Sequence, residues 1–378
     1  MNILVFNQSF FPLSETFVHR QVVGLSRYHD VTMLTYRYEN EDKFPIDVKK
    51  ELLAPYQGLP DKLITKVFRM VMGRGYQLSF QNRSRVSALL QKNRIDVIHA
   101  HFGPSGIEML PVAKKLGIPM VVSFHGIDAA PAMLDNKDYA DKIQEVIEYA
   151  KAVIIVSPHF IDTLNLNRFS SKVHLIPYGT EEQKFVPVER PAREQIVIQH
   201  VGRLVAKKGV PDLITAFGAL CGRYANIELR IIGDGPEMPI CRNLVDQLHL
   251  GDRISLLGSK SHEIVNEHMK DADIYVLNSR TDDKGDMEGL PNSILEAMSM
   301  EKPVISTYHA GIPQAIQDGV NGLLVKERDN EALTAALEKL IQDKELRRRL
   351  GVAARKTIVA GFSANLMEAK IQSVFAGL

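Results

Sequence analysis

Short apolar runs alternate with stretches of helical period from one end of the chain to the other. In the first half, strand-like runs fall at 2–6, 30–35, 96–101, 119–124, 152–156 and 173–177. Helical patterns lie between them, at 14–26, 62–73, 105–115 and 138–149. The second half repeats the plan, with runs at 195–201, 227–232, 253–257, 273–277, 303–306 and 322–325, each followed by a helix-like stretch. This alternation argues for parallel α/β sheets. Two such series predict two doubly wound, Rossmann-like domains. The weakest stretch between them, YGTEEQKFVPVERPARE at 178–194, is polar and holds two prolines. It is the expected linker, dividing the chain into 1–180 and 181–362. The last segment, 363–378, opens on Ser363 as an N-cap and carries Leu366, Ile371, Val374 and Phe375 on one face.

Ligands of doubly wound sheets bind outside the carboxyl ends of the strands. His101, Gly103, His125, Gly202, Arg203, Gly233 and Glu288 all fall where strand patterns give way to helices. The expected site is therefore a cleft between two such domains. The most informative segment is EGLPNSILEAMSM, 288–300. Pro291 suits the first helical position, and Ile294, Leu295, Ala297 and Met298 give the helix a buried side. The unpaired N–H groups of that helix mouth suit an anion such as phosphate. Glu288 before the mouth and Glu296 more than a turn inside can each accept hydrogen bonds from hydroxyls. Hydroxyl, phosphate, hydroxyl is the layout of a nucleotide-sugar.

Composition narrows the classes. A chain of 378 residues with 45% hydrophobic and 24% charged residues is that of a soluble two-domain protein. A formal net charge of +1 gives no case for nucleic acid. The two cysteines, Cys221 and Cys241, make no disulfide framework, which fits a reducing cytoplasm. The opening MNILVF runs straight into a strand pattern without the marks of a signal peptide. No apolar run approaches the ~20 residues a bilayer span needs.

Four blocks of the second half carry a resemblance. GRLVAKKG at 202–209 follows QIVIQHV, GDGP at 233–236 follows IELRII, and the 288–300 segment precedes GIPQAIQDGVNGLLV at 311–325. In order and spacing these resemble the retaining glycosyltransferases of family 4, which have the GT-B fold. DVIHAHFG at 96–103 and SFHGID at 123–128 agree, and FFPLSETFVHRQV at 10–22 looks like the colanic-acid-type subgroup that builds bacterial exopolysaccharide and lipopolysaccharide. The resemblance implies that Arg203 and Lys208 hold the donor diphosphate, with Lys207 the less certain neighbour. It places Glu296 on the ribose hydroxyls. Glu288, with the N–H groups of Gly289 and Leu290 and with Pro291, is placed near the donor sugar. His125 lies beside that sugar from the first domain. Gly202, Gly233 and Gly235 line the nucleotide pocket, and Ser14 and Glu15 belong to the substrate-binding opening loop. The C-terminal helix is expected to pack back on the first domain.

The implied reaction is metal-independent hexosyl transfer from a UDP- or GDP-sugar, with retention and without a cofactor. The implied acceptor is a saccharide, or a lipid-linked saccharide of cell-surface polysaccharide synthesis. Glu288 is not assigned as a nucleophile, because paired glycosidase carboxylates flank one bond and the helix mouth separates these two. A nucleotide-sugar 2-epimerase of the same fold and a non-catalytic nucleotide-sugar-binding assembly protein are the alternatives.

Other features have plainer readings. His99 and His101 share a strand face, yet no third ligand follows at metal spacing. A dinucleotide fingerprint needs a glycine where Met238 stands. Asp282, Asp283 and Asp286 read as a solvated loop, and Asp128 as a helix or turn cap. Residues 61–94 hold Lys62, Lys66, Arg69, Arg74, Arg83, Arg85, Lys92 and Arg94 against one acid, Asp61. With Leu63, Ile64, Val67, Phe68 and Val71 at helical spacing, this segment is either a core helix with a solvated face or a basic amphipathic helix for an anionic membrane. The second reading makes the protein peripheral on the inner face of the cell membrane. Two departures from the family pattern stand out. Gln314 replaces a common acid, and the opening loop lacks paired glycines.

Overall fold

The computed structural model describes residues 1–378 except 13–14, 57, 73–76, 190, 192 and 284. The chain divides into two compact units, Met1–Pro177 with Glu368–Leu378, and Tyr178–Met367. The first unit is built on β1 (Asn2–Phe6), β2 (Asp30–Thr35), β3 (Lys49–Leu52), β4 (Val97–His101), β5 (Met120–Phe124), β6 (Ala152–Ile155) and β7 (Val173–Leu175). These pair in the order β3-β2-β1-β4-β5-β6-β7, every pair parallel. The second unit holds β8 (Ile196–Val201), β9 (Ile227–Ile232), β10 (Ile254–Leu256), β11 (Ile274–Val276), β12 (Val304–Thr307) and β13 (Leu323–Val325). Their order is β10-β9-β8-β11-β12-β13, again all parallel.

The central strands are apolar because helices cover both faces. Ile3, Leu4, Val5 and Phe6 of β1 are fully buried. In the second unit Ile198, Leu229, Ile231, Ile274 and Val276 join Phe217, Leu220, Leu337 and Leu340 of the flanking helices in one core. β3 has no counterpart in the sequence reading. Its residues KKEL lie largely exposed at the sheet edge, held by backbone pairing to β2 rather than by burial.

Strand order reverses between β1 and β4 in one sheet and between β8 and β11 in the other. At such a switch point the flanking loops part and open a crevice. Among the described residues, the chain leaves these strands through 7–12 and 102 in the first unit, and through 202–209, 277–283 and 285–291 in the second.

The stretch 178–194 is docked on the second unit where it begins. Phe185 is buried, its carbonyl accepts a hydrogen bond from Ser299 Oγ at 2.7 Å, and Thr180 bridges Ser363. Ser363 Oγ accepts the N–H of Leu366 at 3.2 Å and so caps the last helix, Ala364–Ala376. Beyond Met367 that helix belongs with the first unit. Glu368 pairs with Arg27 at 2.7 Å, Gln372 meets His29 Nε2 at 2.9 Å, and buried Phe375 lies edge-on to His99.

In helix Leu59–Met72 the buried side chains among the described residues are polar: Asp61 Oδ1 accepts the N–H of Gln81 at 3.1 Å and Thr65 Oγ1 that of Phe80 at 3.4 Å. Leu59, Leu63, Ile64, Val67 and Met70 are exposed, as is Phe80 at the start of the next helix, Phe80–Lys92. A core role for Leu63, Ile64 and Val67 is thereby excluded. Arg74 and the side chains of Phe68, Arg69 and Val71 lie outside the described residues.

Candidate functional site

In the second unit, the loops after β8 and β11 meet. Gly209 has φ +59°, and any side chain there would collide with the carbonyl of Asn278. This close approach sets Lys208, 9% exposed, beside the chain leaving β11. Lys208 Nζ pairs with Glu288 Oε1 at 3.2 Å, while Lys207 Nζ pairs with Asp286 at 2.9 Å and stands 3.8 Å from Glu288. Burial pushes the Glu288 carboxyl up, but Lys208 and then Lys207 pull it net below its ordinary value. Glu288 is thus held ionised in a mostly buried place. Asp286 is therefore not merely part of a solvated loop. Asp283 is exposed, consistent with the solvated reading, and pairs with Arg328 at 3.4 Å.

The turn after β9 is knitted to the same loop. Gly233 has φ +145° and a Cβ there would overlap the carbonyl of Gly202; one at Gly235, φ +156°, would meet the carbonyl of Leu204. The N–H of Gly202 donates to Ile232, that of Leu204 to Asp234 and that of Glu237 to Leu204. These glycines let two backbones touch where side chains would hold them apart. Arg203, on this ledge, is exposed, and its guanidinium has no partner among the described residues. The structure does not bring it to the Lys208–Glu288 pair.

Helix Asn292–Ser299 begins one residue later than expected. Pro291 has ψ 129° and stands at the N-cap rather than the first helical position, since its extended ψ turns the chain into the helix. Leu290 is buried and anchors the turn. Among the described residues no acceptor takes the N–H of Gly289 or Leu290. Glu296 lies beyond the first turn, its carboxylate 13% exposed and 3.5 Å from His262 Nε2.

In the first unit, His125 follows β5 and is 5% exposed. Its Nε2 lies 3.0 Å from His101 Nδ1, the rings stacked, with Phe17 and Phe102 against it. Burial, aided by His99, lowers the His125 pKa to about 3, so the ring is neutral. Asp128 accepts the N–H groups of Gly103, His125 and Gly126 at 2.9–3.0 Å. It caps a turn as expected and also ties the end of β4 to that of β5. Glu15 stands before helix Thr16–Ser26, 3.5 Å from Asn7 Nδ2, with its carboxyl raised to about 7 by burial. Ser14 lies outside the described residues. Among those residues, no group of three or more His, Cys, Asp or Glu is placed to hold a metal ion, and no helix is long and apolar enough to cross a membrane.

Sequence reasoning missed His309 and Glu327. His309 is fully buried, accepts the N–H of Glu288 on Nε2 at 3.0 Å and meets Glu327 with Nδ1 at 2.6 Å. A lone histidine two residues before the GIPQAI block was the one available signal.

Two doubly wound units, each built on an all-parallel sheet, are the GT-B fold of sugar-transferring enzymes. The model for glycosyl transferases group 1 matches residues 181–357, and that for glycosyltransferase family 4 matches residues 14–184. The chain is 30% identical over 292 residues to the putative colanic acid biosynthesis glycosyltransferase WcaL of Escherichia coli, covering 75% of this chain and 71% of that one. It is 27% identical over the full length of both chains to the amylovoran biosynthesis glycosyltransferase AmsK of Erwinia amylovora. Anabaena Alr3699/HepE, solved in complex with UDP, superposes with a TM-score of 0.82 at 17% identity over the full length of both. The chain belongs to the family 4 glycosyltransferases, of the colanic-acid type, and is a transferase.

Proposed function

We propose that the protein transfers a sugar, with retention and without a metal, from a UDP- or GDP-sugar to a hydroxyl of a saccharide acceptor. The observation that carries this reading is the mostly buried Lys208–Glu288 pair at the switch point of the second sheet, beside the mouth of helix Asn292–Ser299 and the N–H groups of Gly289 and Leu290, which no acceptor takes among the described residues. The second unit, 181–362 in the sequence reading, binds the donor, and the first receives the acceptor. Lys208 and Arg203 neutralise the diphosphate; Gly202, Gly233 and Gly235 let the nucleotide approach backbone; Glu296 takes ribose hydroxyls. Glu288, Gly289, Leu290 and Pro291 frame the sugar, and His125 serves as a neutral hydrogen-bonding ring. Ser14 and Glu15 belong to the substrate loop.

The bond from the anomeric carbon to the diphosphate oxygen breaks while the acceptor oxygen bonds that carbon on the same face. The acceptor's proton passes to the leaving diphosphate. Charge grows on the diphosphate, and fixed cations and N–H groups at the helix mouth stabilise it there. The names of WcaL and AmsK support a role in exopolysaccharide synthesis, and with it a lipid-linked acceptor.

The exposed apolar side of helix Leu59–Met72, with Lys62 and Lys66 also exposed, supports docking on an anionic membrane surface. Vesicles containing phosphatidylglycerol should sediment the protein at low salt, and Leu63→Glu with Met70→Glu should release it. Failure of the wild type to sediment would reject the docking. The donor reading is tested by calorimetry with UDP, GDP and their sugar conjugates on wild type and Glu296→Ala. Saturable binding of one nucleotide, weakened in the variant, is expected; no binding by folded wild type would overturn it.

A further inference from the structure

We propose that His309 and Glu327 are positioning residues that set the direction of the backbone N–H groups at 288–290. The structural part stands on the geometry alone; its consequence for turnover rests on the reading that this loop meets the donor.

The Glu288 N–H donates to His309 Nε2 at 3.0 Å. A ring nitrogen that accepts carries no proton, so the proton of the neutral ring sits on Nδ1. Nδ1–H donates to Glu327 Oε1 at 2.6 Å, and Glu327 Oε2 accepts the N–H of Thr281 at 2.9 Å. The carboxylate therefore spans the ring and the loop leaving β11, and it selects the tautomer that receives Glu288.

The same turn takes hold of the next peptides. Ala310, at φ 44°, bends the chain so that the Gly311 N–H donates to the Gly289 carbonyl at 3.0 Å. A side chain at Gly311 would press on that carbonyl, since a Cβ would lie 2.7 Å from it. His309 thus clamps the 287–288 peptide and Gly311 the 289–290 peptide. In a trans peptide N–H and C=O point oppositely. With the Gly289 oxygen turned toward Gly311, the Leu290 N–H points away from the 309–311 turn. Glu288, paired with Lys208, springs from the clamped stretch. The 309–311 turn, anchored by a neutral, buried imidazole, thereby orients both an ionised carboxylate and the Leu290 N–H, which no acceptor takes among the described residues, without touching the reacting atoms.

Three substitutions separate this role from mere packing. His309→Gln keeps an acceptor where Nε2 stood. His309→Leu removes it. Glu327→Gln keeps the shape, but its amide oxygen is claimed by the Thr281 N–H, so its NH₂ faces Nδ1 and drives the proton to Nε2, against the Glu288 N–H. The first readout needs no donor. Nitrogen NMR of histidine-labelled wild type should show His309 with its proton on Nδ1, and Glu327→Gln should move it. Hydrogen exchange at the Glu288 amide should be about tenfold faster in His309→Leu, the loss of one hydrogen bond, and near wild type in His309→Gln. A wild-type ring protonated on Nε2, or equal Glu288 exchange in wild type and His309→Leu, would overturn the proposal. Should His309→Leu not fold, Glu327→Gln and His309→Gln carry the same comparison.

The second readout is kinetic. Donor KM should rise about tenfold in Glu327→Gln and stay within about threefold in His309→Gln, with acceptor KM unmoved in both. Wild-type donor KM in Glu327→Gln would sink the positioning role. Absence of donor binding by a wild type with the Nδ1 tautomer and a protected Glu288 amide would instead sink the donor reading and leave the clamp standing.

Discussion

Lys208 and Glu288 meet at 3.2 Å although 79 intervening residues separate them in sequence. Three devices bring them together: the crossover between β8 and β11, the left-handed Gly209 against the Asn278 carbonyl, and the clamp of His309 on the Glu288 N–H. Lys207 lies behind them on Asp286. Two lysines and two carboxylates stand together in this mostly buried place, and in the proposed function Lys208 is the cation that meets the donor diphosphate.

Lys208→Ala should therefore lose catalysis far more than stability. Removing one preorganised donor from a developing anion costs about 10²–10³-fold in kcat. Glu288 retains Lys207 at 3.8 Å, so the fold should survive, with a lower Tm. Turnover of the variant near wild type, by a protein with native circular dichroism, would refute the role.

Two glycines should behave oppositely on substitution. Gly233→Ala forces a side chain onto the Gly202 carbonyl at φ +145°. The strain alone is on the order of 1–3 kcal/mol, and the overlap adds to it. Gly222 has open space around its Cβ position and φ −70°. Gly222→Ala should be neutral or stabilising by about 0.4–1 kcal/mol. Urea unfolding of both variants checks this, and equal stabilities would contradict the close-approach account.

The parts legible in sequence are those where one residue type has a single physical use. Buried parallel strands need largely apolar runs, so β1, β4, β5, β8 and β9 announce themselves. GRLVAKKG and EGLPNSILEAM mark loops whose backbone and charge requirements leave few alternatives. β3 was illegible because edge pairing uses backbone that every residue has. Helix Leu59–Met72 misleads because helical period reports an apolar side without saying whether protein covers it. Among its described residues the buried side chains are Asp61 and Thr65, which receive N–H groups of the next helix. His309 and Glu327 are invisible for a related reason. Each is an isolated polar residue whose meaning arises only when the sheet brings β12 and β13 beside the loop after β11.

Glu15 should make the first unit less stable as pH rises. Burial raises its carboxyl to about 7; Asn7 opposes this, and Glu39 and Asp128 add to it. The folded chain thus holds a proton that the unfolded chain sheds nearer 4.5. Stability falls as pH rises from about 4.5 to about 7, and the full penalty applies above that. The carboxyl is partly exposed, so the penalty is about 1–2 kcal/mol rather than the full shift. Glu15→Gln should raise Tm at pH 8 and flatten the slope below pH 7. A Tm at pH 8 no higher than that of wild type would count against it.

The buried histidines act in the opposite direction. Burial lowers His99, His125 and His200 to about 3, and carries His101 well below its ordinary value. Unfolding releases these rings to titrate near 6.5, so below that pH the unfolded state binds protons that the folded state refuses. Stability is intact above about 6.5 and is lost as pH falls toward 3. One such ring is worth about 2 kcal/mol at pH 5. Tm measured at pH 7.5, 6 and 5 should fall at each step despite the smaller opposite slope from Glu15. The kinetic corollary concerns His125. A ring that stays neutral through pH 5 can give or take a hydrogen bond but cannot supply a positive charge. The pH profile of kcat should carry no limb near 6.5 that His125→Gln removes. Carbon-bound proton shifts of His125 titrating near 6.5 in the folded protein would refute both the buried neutral ring and its part in the acid instability.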